Sequence, residues 1–238
     1  YTILQGYDFL HLNREKGVNL QIGGSDQWGN LLSGVELIRK CENREVFAMT
    51  APLVINKSTG RKFGKSEGGA VWLDENKTSV YKFYQFWLNS DDDGAIDYLK
   101  LFTMLSKEQI EKIEDEHKKA THLRLAQKTL AREVTDLIHG ENRRKAVEKV
   151  NEVLFGNTDI NTLSSTELEI LANEIPTSKI SCDVISALTE NNLVKSASEA
   201  RRLIQSNAIS INSQKIKENQ QIDKVSLIKK GKNSFVLI

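Results

Sequence analysis

Helical and strand-like segments alternate over residues 1–74, and this alternation limits the possible folds more than any other feature of the sequence. The periodicity predicts two helices and two strands, over residues 1–16 and 27–40 and over residues 18–22 and 53–55. This is the pattern of an α/β domain, but two strands are too few for a covered parallel sheet. We therefore expect further strands from sequence that precedes Tyr1. The opening at Tyr1, without an initiator Met and already in a helical pattern, predicts a longer natural protein.

Helical periodicity dominates from Ser79 to about Gly156, and Gly140 is placed to end a helix after His139. A polar stretch follows that contains Pro176 and one short helical piece, Ser165–Glu174. The last segment changes to short helices followed by strand-like alternation. The predicted fold class is thus α/β plus α plus small α+β. The predicted parts are a sheet domain (1–74), a helical domain (75–156), a linker (157–179) and a small module (180–238).

Charge is distributed unevenly along the chain. The whole sequence carries 33 Lys and Arg against 32 Asp and Glu, a net charge of +1, which gives no overall indication of nucleic-acid or membrane binding. Residues 180–238 contain nine Lys and Arg against five Asp and Glu, so this module is locally basic at +4. No apolar run approaches the length of a membrane span. Cys41 and Cys182 lie far apart and outside any metal-ligand spacing, which supports neither a disulfide framework nor a zinc site and favours the reducing cytoplasm.

Three polar side chains share one face of the first predicted helix. Tyr1, Gln5 and Asp8 stand at i, i+4 and i+7, while Ile3, Tyr7 and Leu10 form an apolar stripe elsewhere on it. A phenol, an amide and a carboxylate on one face fit a ligand-binding surface. An ordinary solvated face fits this stripe equally well.

The segment Gln21-Ile-Gly-Gly-Ser-Asp-Gln-Trp-Gly-Asn30 runs from a strand through two glycines into a helix. Ligands of open α/β sheets bind at the carboxyl ends of strands, and glycines such as Gly24 let a nucleotide approach the backbone. Asp26 can accept hydrogen bonds from ribose hydroxyls, and Gln27 can bond a reacting carboxyl or phosphate group. We expect Ser25 or Asp26 to cap the helix. A tight turn that needs both glycines is the alternative explanation.

A second glycine-containing loop, Gly60-Arg-Lys-Phe-Gly-Lys-Ser66, holds two lysines three residues apart. Its end is similar to a P-loop, but Thr59 stands where a P-loop requires glycine. Lys62 and Lys65, followed by Ser66, suit another role, the neutralisation of charge that develops on departing pyrophosphate. A solvated basic turn is the simpler alternative for such a loop.

Taken together, these segments resemble the tyrosyl-tRNA synthetases, class I enzymes with a Rossmann-like catalytic domain. The resemblance covers essentially the whole chain. It is carried by the following segments: Tyr1-Thr-Ile-Leu-Gln-Gly-Tyr-Asp-Phe-Leu10, Gln21 to Asn30, Lys62-Phe-Gly-Lys-Ser66, Phe83-Tyr-Gln-Phe-Trp87, and Ala126-Gln-Lys-Thr-Leu130 continuing to His139-Gly140.

The resemblance implies a role for each candidate residue. Tyr1 and Gln5 correspond to ligands of the tyrosine α-amino group, Asp8 to the partner of the tyrosine hydroxyl, and Gln21 to a supporting residue of this pocket. Gly24 and Asp26 correspond to the adenylate site, with Asp26 facing the ribose, and Gln27 lies near the reacting carboxylate. Lys62, Lys65 and Ser66 correspond to the mobile loop that stabilises the transition state of adenylate formation.

The last segment, Leu193 to Asn212, resembles the RNA-binding module shared with ribosomal protein S-four. Ser196 and Glu199 are spaced as a capping box at the start of a helix. That helix carries Arg201 and Arg202. Three further cations are predicted to join them in a face that binds tRNA phosphates: Lys195, Lys215 and Lys217. For any single lysine, a solvated surface position is the alternative.

By this resemblance, the intact enzyme uses ATP and Mg²⁺ to activate L-tyrosine and transfers it to tRNA(Tyr). The helical domain is expected to present to the anticodon region. We expect a cytoplasmic homodimer, with much of the dimer contact outside this chain. The family's first signature, a histidine-containing ATP motif, is absent from these 238 residues. An RNA-binding fragment without catalytic activity of its own is therefore the competing hypothesis.

Overall fold

The computed structural model describes residues 1–56, 60, 70–156, 158–179 and 182–238. It divides into two compact units, Tyr1–Ala70 and Val71–Ile238. The predicted sequence of an α/β part, a helical part and a small α+β part is confirmed in outline, with a small parallel sheet, many helices and a small terminal sheet that is antiparallel. The predicted lysine loop with Lys62, Lys65 and Ser66 lies outside the described residues.

The first unit is a helix followed by a β-α-β crossover. Its elements are α1 (Thr2–Lys16), β1 (Leu20–Gly24), a 3-10 turn (Ser25–Gln27), α2 (Trp28–Glu42) and β2 (Phe47–Ala51). The helix α1 ends at Gly17 and α2 at Asn43, both in the left-handed conformation that glycine and asparagine adopt most readily. The two strands pair in parallel, from Leu20 opposite Phe47 to Gly24 opposite Ala51.

The two faces of this sheet differ. A core of Phe9, Leu10, Ile38 and Val46 forms between the helices and the adjoining loop. Along each strand, alternate side chains are exposed. The exposed positions include four large apolar residues: Leu20, Ile22, Phe47 and Met49. Within the described residues, the second face of the sheet therefore has no apolar cover.

The second strand lies earlier in the chain than the sequence predicted. We expected it at Leu53–Ile55, but the paired strand is Phe47–Ala51. Pro52 follows it directly and has no backbone N–H to continue a ladder of hydrogen bonds. The correct signal was the alternation of Phe47 and Met49 with smaller residues, which indicates a strand with one outward face.

The second unit begins with six α-helices: α3 (Val80–Leu88), α4 (Asp92–Phe102), α5 (Lys107–Lys119), α6 (Leu125–His139), α7 (Glu141–Phe155) and α8 (Ser165–Glu174). The predicted helical character, the end of α6 at Gly140 and the bounds of α8 are confirmed. The helix α6 contacts α3, α4, α5 and α7, so it is central to this part. Ser106 and Ser164 form complete capping boxes at the starts of α5 and α8.

The chain ends in a small α+β module. Its elements are β3 (Cys182–Asp183), α9 (Val184–Glu190), α10 (Ala197–Gln205), β4 (Ile209–Ile211), β5 (Gln214–Lys215), β6 (Gln221–Ile222), β7 (Leu227–Lys230) and β8 (Ser234–Leu237). Four strands form an antiparallel sheet in the order β5-β4-β7-β8, and β3 pairs with β6. The inward side chains of Ile209, Ile228 and Val236 are fully buried against α9 and α10.

The described part of the predicted linker is packed. Leu171 of α8 is buried with Val150 of α7 and with Leu237 of β8. Leu237 donates its backbone N–H to Pro176 at 2.9 Å and accepts from the Ser178 N–H at 2.8 Å. Residues 158–179 therefore contact both the helical region and the terminal sheet. The four domain boundaries proposed from the sequence stay predictions.

Candidate active site and nucleic-acid interface

The polar face of α1 lies beside its packed face. Tyr1 caps the helix and accepts the Gln5 N–H at 3.0 Å. The side chains of Tyr1 and Asp8 are exposed, and that of Gln5 is half-buried. The spacing of these three residues places them on one side of the helix, next to the buried Phe9, which comes four residues after Gln5, while the buried Leu10 lies on the other side. The predicted polar face thus exists, with its phenol, amide and carboxylate available to a ligand.

The apolar stripe predicted on α1 is only partly buried. Leu10 enters the core, but Ile3 and Tyr7 remain largely exposed. The packed face contains Gly6 instead, because α1 and α2 approach closely there. A Cβ added at Gly6 would lie 2.9 Å from the Ser33 Oγ and 3.2 Å from the Gly34 backbone nitrogen. The close approach of two helices at glycines had no clear signal in the apolar spacing alone.

The two glycines at the end of β1 make room for the side chains that follow them. A Cβ at Gly24 would lie 2.8 Å from the Asp26 Oδ1, and one at Gly23 would lie 3.2 Å from the Gln27 Cβ. The side chains of Asp26 and Gln27 therefore turn back over the end of the strand. This placement brings a carboxylate and an amide to the edge where ligands of parallel sheets bind.

The start of α2 differs from the prediction. Neither Ser25 nor Asp26 caps the α-helix, because both lie in the 3-10 turn that precedes it. The N-cap residue is Gln27, and its side chain makes no capping hydrogen bond. The backbone after Gly24 forms the tighter 3-10 turn first, so α2 begins at Trp28, one residue after the predicted start at residue 27.

Gln21 lies in β1 and is half-buried. Its Oε1 atom is buried and has no hydrogen-bond partner among the described residues. A buried acceptor without a partner is costly, by about 1–3 kcal/mol. A ligand that donates a hydrogen bond would remove this cost, which is consistent with a position beside a binding pocket.

The basic candidates of the terminal module are exposed, but they do not all line one cavity. Lys215 and Lys217 line a cavity of about 530 Å³ that is formed by the module together with Asp159 and Asn161 of the predicted linker. Lys224 lines the same cavity and was missed by the sequence analysis, although its position just after β6 places it near them. Lys195, Arg201 and Arg202 do not line it. Neither arginine forms an ion pair with another described residue.

The predicted capping box at Ser196 is only half formed. The Ser196 Oγ accepts the Glu199 N–H at 3.3 Å, as expected. The Glu199 carboxylate, however, accepts from the Lys195 N–H at 2.8 Å instead of from the Ser196 N–H. The extended Ser196 backbone places the preceding N–H within reach. This contact holds the backbone of Lys195 at the start of α10 while its side chain stays exposed.

Two lysines of the basic module are used internally. The Lys229 Nζ donates to the Leu154 carbonyl at 3.0 Å and lies 5.3 Å from the centre of the Phe235 ring. The Lys230 Nζ donates to the Leu193 carbonyl. The local excess of positive charge available to a partner is therefore smaller than the sequence count indicates.

The described residues contain no group of three or more His, Cys, Asp or Glu side chains that could hold a metal ion. No helix among them is both long enough and apolar enough to cross a membrane.

Comparison with known families gives two matches that together cover most of the chain. The model described as "tRNA synthetases class I (W and Y)" matches residues 1–156. The model described as "Tyrosine--tRNA ligase SYY-like C-terminal domain" matches residues 167–238.

Individual relatives agree with these matches. The chain is 44% identical to the tyrosine--tRNA ligases of Cytophaga hutchinsonii and Escherichia coli over its whole length, and it spans 60% and 58% of those proteins. Among solved structures, a C-terminally truncated mitochondrial tyrosyl-tRNA synthetase of Coccidioides posadasii is similar, with a TM-score of 0.52 and 34% identity. That match covers 63% of this chain and 43% of the other. The Aspergillus nidulans counterpart gives a TM-score of 0.54 and 31% identity, over 65% of this chain and 44% of the other.

Proposed function

The chain belongs to the class I tRNA synthetase family of the tryptophanyl and tyrosyl enzymes (W and Y), and from this premise we propose that the whole protein is a tyrosine--tRNA ligase. The observation that carries the proposal is the 44% identity to tyrosine--tRNA ligases along the entire chain. A match of residues 167–238 to the C-terminal domain of such ligases supports tyrosine over tryptophan. Because the chain spans about 60% of these relatives, the activity is proposed for the whole protein.

The proposed reaction has two steps. A carboxylate oxygen of L-tyrosine attacks the α-phosphorus of ATP, so that the bond to pyrophosphate breaks and tyrosyl-adenylate forms. A ribose hydroxyl of the terminal adenosine of tRNA(Tyr) then attacks the adenylate carbonyl, and AMP leaves. Catalysis requires contacts that strengthen as negative charge develops on the phosphate oxygens.

The face of α1 recognises tyrosine in this proposal. The Asp8 carboxylate accepts a hydrogen bond from the phenolic hydroxyl, and Tyr1 and Gln5 hold the α-amino group. A site that bonds the substrate hydroxyl rejects an analogue without one, because its own polar group is then left without a partner. Gln21 supports the pocket, and its buried Oε1 has the unused acceptor capacity that an ammonium group would satisfy.

The end of β1 receives the nucleotide in the same proposal. Asp26 accepts from the ribose hydroxyls, Gly24 gives the ligand access to the backbone, and Gln27 donates to the reacting carboxylate or phosphate. The support for this placement is the way both side chains turn back over the strand end. Lys62, Lys65 and Ser66, which lie outside the described residues, are proposed by resemblance to stabilise the transition state.

Magnesium enters only as a companion of ATP. The described residues hold no cluster that fits a protein-bound metal. Mg²⁺ commonly keeps several waters and binds substrate phosphates. When present, it would neutralise phosphate charge, and we assign no step to a metal held by this chain.

The remaining parts are proposed to bind tRNA(Tyr). The helical region 75–156 would serve the anticodon, and the module 180–238, with a fold like that of ribosomal protein S-four, would bind phosphates through Lys195, Arg201, Arg202, Lys215 and Lys217. Exposure of all five side chains supports this assignment. We further propose that the whole protein is a cytoplasmic homodimer with a Rossmann-like catalytic domain.

The second candidate function is tRNA binding without catalysis by the 238 residues alone. Their limited share of the relatives' length favours it for this chain taken by itself. Tyrosine-dependent exchange of labelled pyrophosphate into ATP separates the two. We expect exchange by the whole protein and none by the 238-residue chain. Absence of tyrosine-dependent exchange by the whole protein would overturn the proposed function.

A further inference from the structure

Three side chains connect the start of α1 to the start of α2. The Thr2 hydroxyl donates to the Asn30 Oδ1 at 2.7 Å. The Asn30 Nδ2 in turn donates to the Gln27 Oε1 at 3.0 Å. Asn30 therefore lies between a residue of the tyrosine-binding helix and a candidate catalytic amide. We call these three residues the amide relay.

The backbone around the relay is held in place by Ser33. Its hydroxyl contacts the Thr2 carbonyl at 3.0 Å and the Asn30 carbonyl at 2.7 Å. The close approach of the helices at Gly6 and Gly34 surrounds this hydroxyl. The separation of Thr2 and Asn30 is thus set by helix packing, and the relay joins two elements that are already fixed relative to each other.

The relay decides which end of the Gln27 amide is available. A primary amide has one oxygen acceptor and one nitrogen with two donor hydrogens. Because Asn30 occupies the Oε1, the Nε2 remains, and it has no hydrogen-bond partner among the described residues. Gln27 is half-buried beside Gly23, where the absent Cβ leaves space for it. The side chain therefore presents donors at the strand end.

Donors are what adenylate formation requires at this position. The tyrosine carboxylate and the α-phosphate both present acceptor oxygens, and negative charge on the phosphate oxygens grows in the transition state. A Gln27 side chain turned the other way would present its own oxygen to those oxygens and would repel them.

We propose that Asn30 is a positioning residue for adenylate formation, which fixes the orientation of the Gln27 amide, while the Thr2 hydroxyl holds the Asn30 side chain in place by a hydrogen bond. This inference rests on the proposed function of Gln27. Asn30 itself does not contact the reacting atoms in this scheme. It acts by preventing rotation of the neighbouring amide, so its effect should depend on the presence of Gln27.

The decisive variant is Asn30→Asp in the whole protein. A carboxylate only accepts hydrogen bonds, so Gln27 has to turn its Nε2 toward residue 30 and its Oε1 toward the substrate. We expect the single-turnover rate of tyrosyl-adenylate formation to fall on the order of 100-fold, the effect of losing one transition-state donor. Asn30→Ala permits both orientations and should cost less. KM values for tyrosine and ATP should change little, since the donor acts in the transition state.

Two controls separate positioning from a general loss of structure. Asn19→Asp adds the same charge at an exposed site of the same unit and should leave the rate unchanged. In a Gln27→Ala background, Asn30→Asp should cause no further loss, because the amide that it reorients is gone. Equal losses with and without Gln27 would overturn the inference.

The relay can also be tested without activity, in the 238-residue chain. The side-chain amide signals of Gln27 in ¹⁵N-resolved NMR spectra should shift in Asn30→Ala and in Thr2→Val but not in Asn19→Asp. Unshifted Gln27 signals in both relay variants would overturn the relay alone. A wild-type whole protein that forms no tyrosyl-adenylate would instead overturn the proposed function, together with the role given to Asn30.

Discussion

The two small sheets of this protein differ in how completely their apolar side chains are covered. Ile22 in the parallel pair β1-β2 is 59% exposed, whereas Ile228 in the antiparallel sheet is fully buried. One face of the terminal sheet packs against α9 and α10, and apolar residues on the other face pack against α7 and α8. The first unit covers only one face of its sheet within the described residues.

The difference in apolar cover corresponds to a difference in the proposed roles of the two sheets. The terminal module has a closed core and leaves charged side chains exposed, which suits a surface that binds phosphates. The first unit has its candidate ligand groups at a strand end and an apolar face that further chain would cover. We infer that the candidate catalytic residues depend on additional sequence for a complete pocket, as the 60% coverage of the relatives also favours.

The largest effect is expected on the free energy of unfolding, when Ile228→Ala is compared with Ile22→Ala. Removal of the buried side chain should cost about 2–5 kcal/mol of the free energy of unfolding. Removal of the exposed one should change it by no more than about 0.5 kcal/mol. Urea unfolding followed by circular dichroism measures the stability of both variants. Labelling of Cys182 measures unfolding of the module. It requires a Cys41→Ser background, since Cys41 is exposed and would also be labelled. Similar shifts for the two variants would mean that the sheets do not differ in cover.

The next effect concerns chemistry in the first unit. Lys62→Ala or Lys65→Ala in the whole protein should slow adenylate formation, because each variant should lose about 3 kcal/mol of transition-state stabilisation. Tyrosine binding should weaken far less, because these contacts are proposed to form as pyrophosphate leaves. Stopped-flow rates and equilibrium titration measure the two quantities. An unchanged single-turnover rate would remove both lysines from the catalytic proposal.

A smaller effect is expected for tRNA binding by the module. Arg201→Ala with Arg202→Ala should reduce the slope of log affinity against log salt concentration by about 1.4–1.8, if each arginine neutralises one phosphate. Different tRNAs should be weakened alike, because phosphate contacts carry no sequence information. Lys16→Ala with Lys40→Ala gives the same charge change in the first unit as a control. Superimposable salt titrations for wild type and the arginine variant would assign these residues to ordinary surface.

The smallest effect tests how the module is attached to α7. Lys229→Met removes the charged donor from the Leu154 carbonyl, near the end of α7, where the helix dipole favours a cation. We expect a loss of about 1 kcal/mol in the stability of the module. Lys224→Met is the control, since that side chain is exposed. If Lys224→Met destabilised the module as much as Lys229→Met, the contact with α7 would contribute nothing specific.

Much of the architecture follows from periodicity in the sequence. The bounds of α8, the end of α6 at Gly140 and the change from short helices to strands in the terminal module were predictable because local propensity and apolar spacing agree there. The position of β2 was predicted wrongly because the apolar residues after Pro52 have the composition of a strand. The true signal, the alternation of large and small side chains, lies before Pro52. The start of α2 was misplaced because a 3-10 turn has no distinct sequence pattern.

The candidate site was less predictable than the fold. The sequence indicated the polar face of α1 and the glycines after β1, but it contained no sign of the relay through Asn30, which depends on the distance between two helices. In the module, residue type predicted a position on the basic face for Lys215 and Lys217. The hydrogen bonds of Lys229 and Lys230 to backbone carbonyls follow only from tertiary contacts. Side chains of one type divide between surface and interior according to packing that no short segment encodes.

Amide hydrogen exchange of the two sheets tests the central difference most directly. In the 238-residue chain, we predict slow exchange for β7 and β8 and much faster exchange for β1 and β2, because few apolar contacts protect the latter. In the whole protein, the protection of β1 and β2 should rise while that of β7 and β8 stays the same. Equal protection of the two sheets in the 238-residue chain, or no gain for β1 and β2 in the whole protein, would contradict the account.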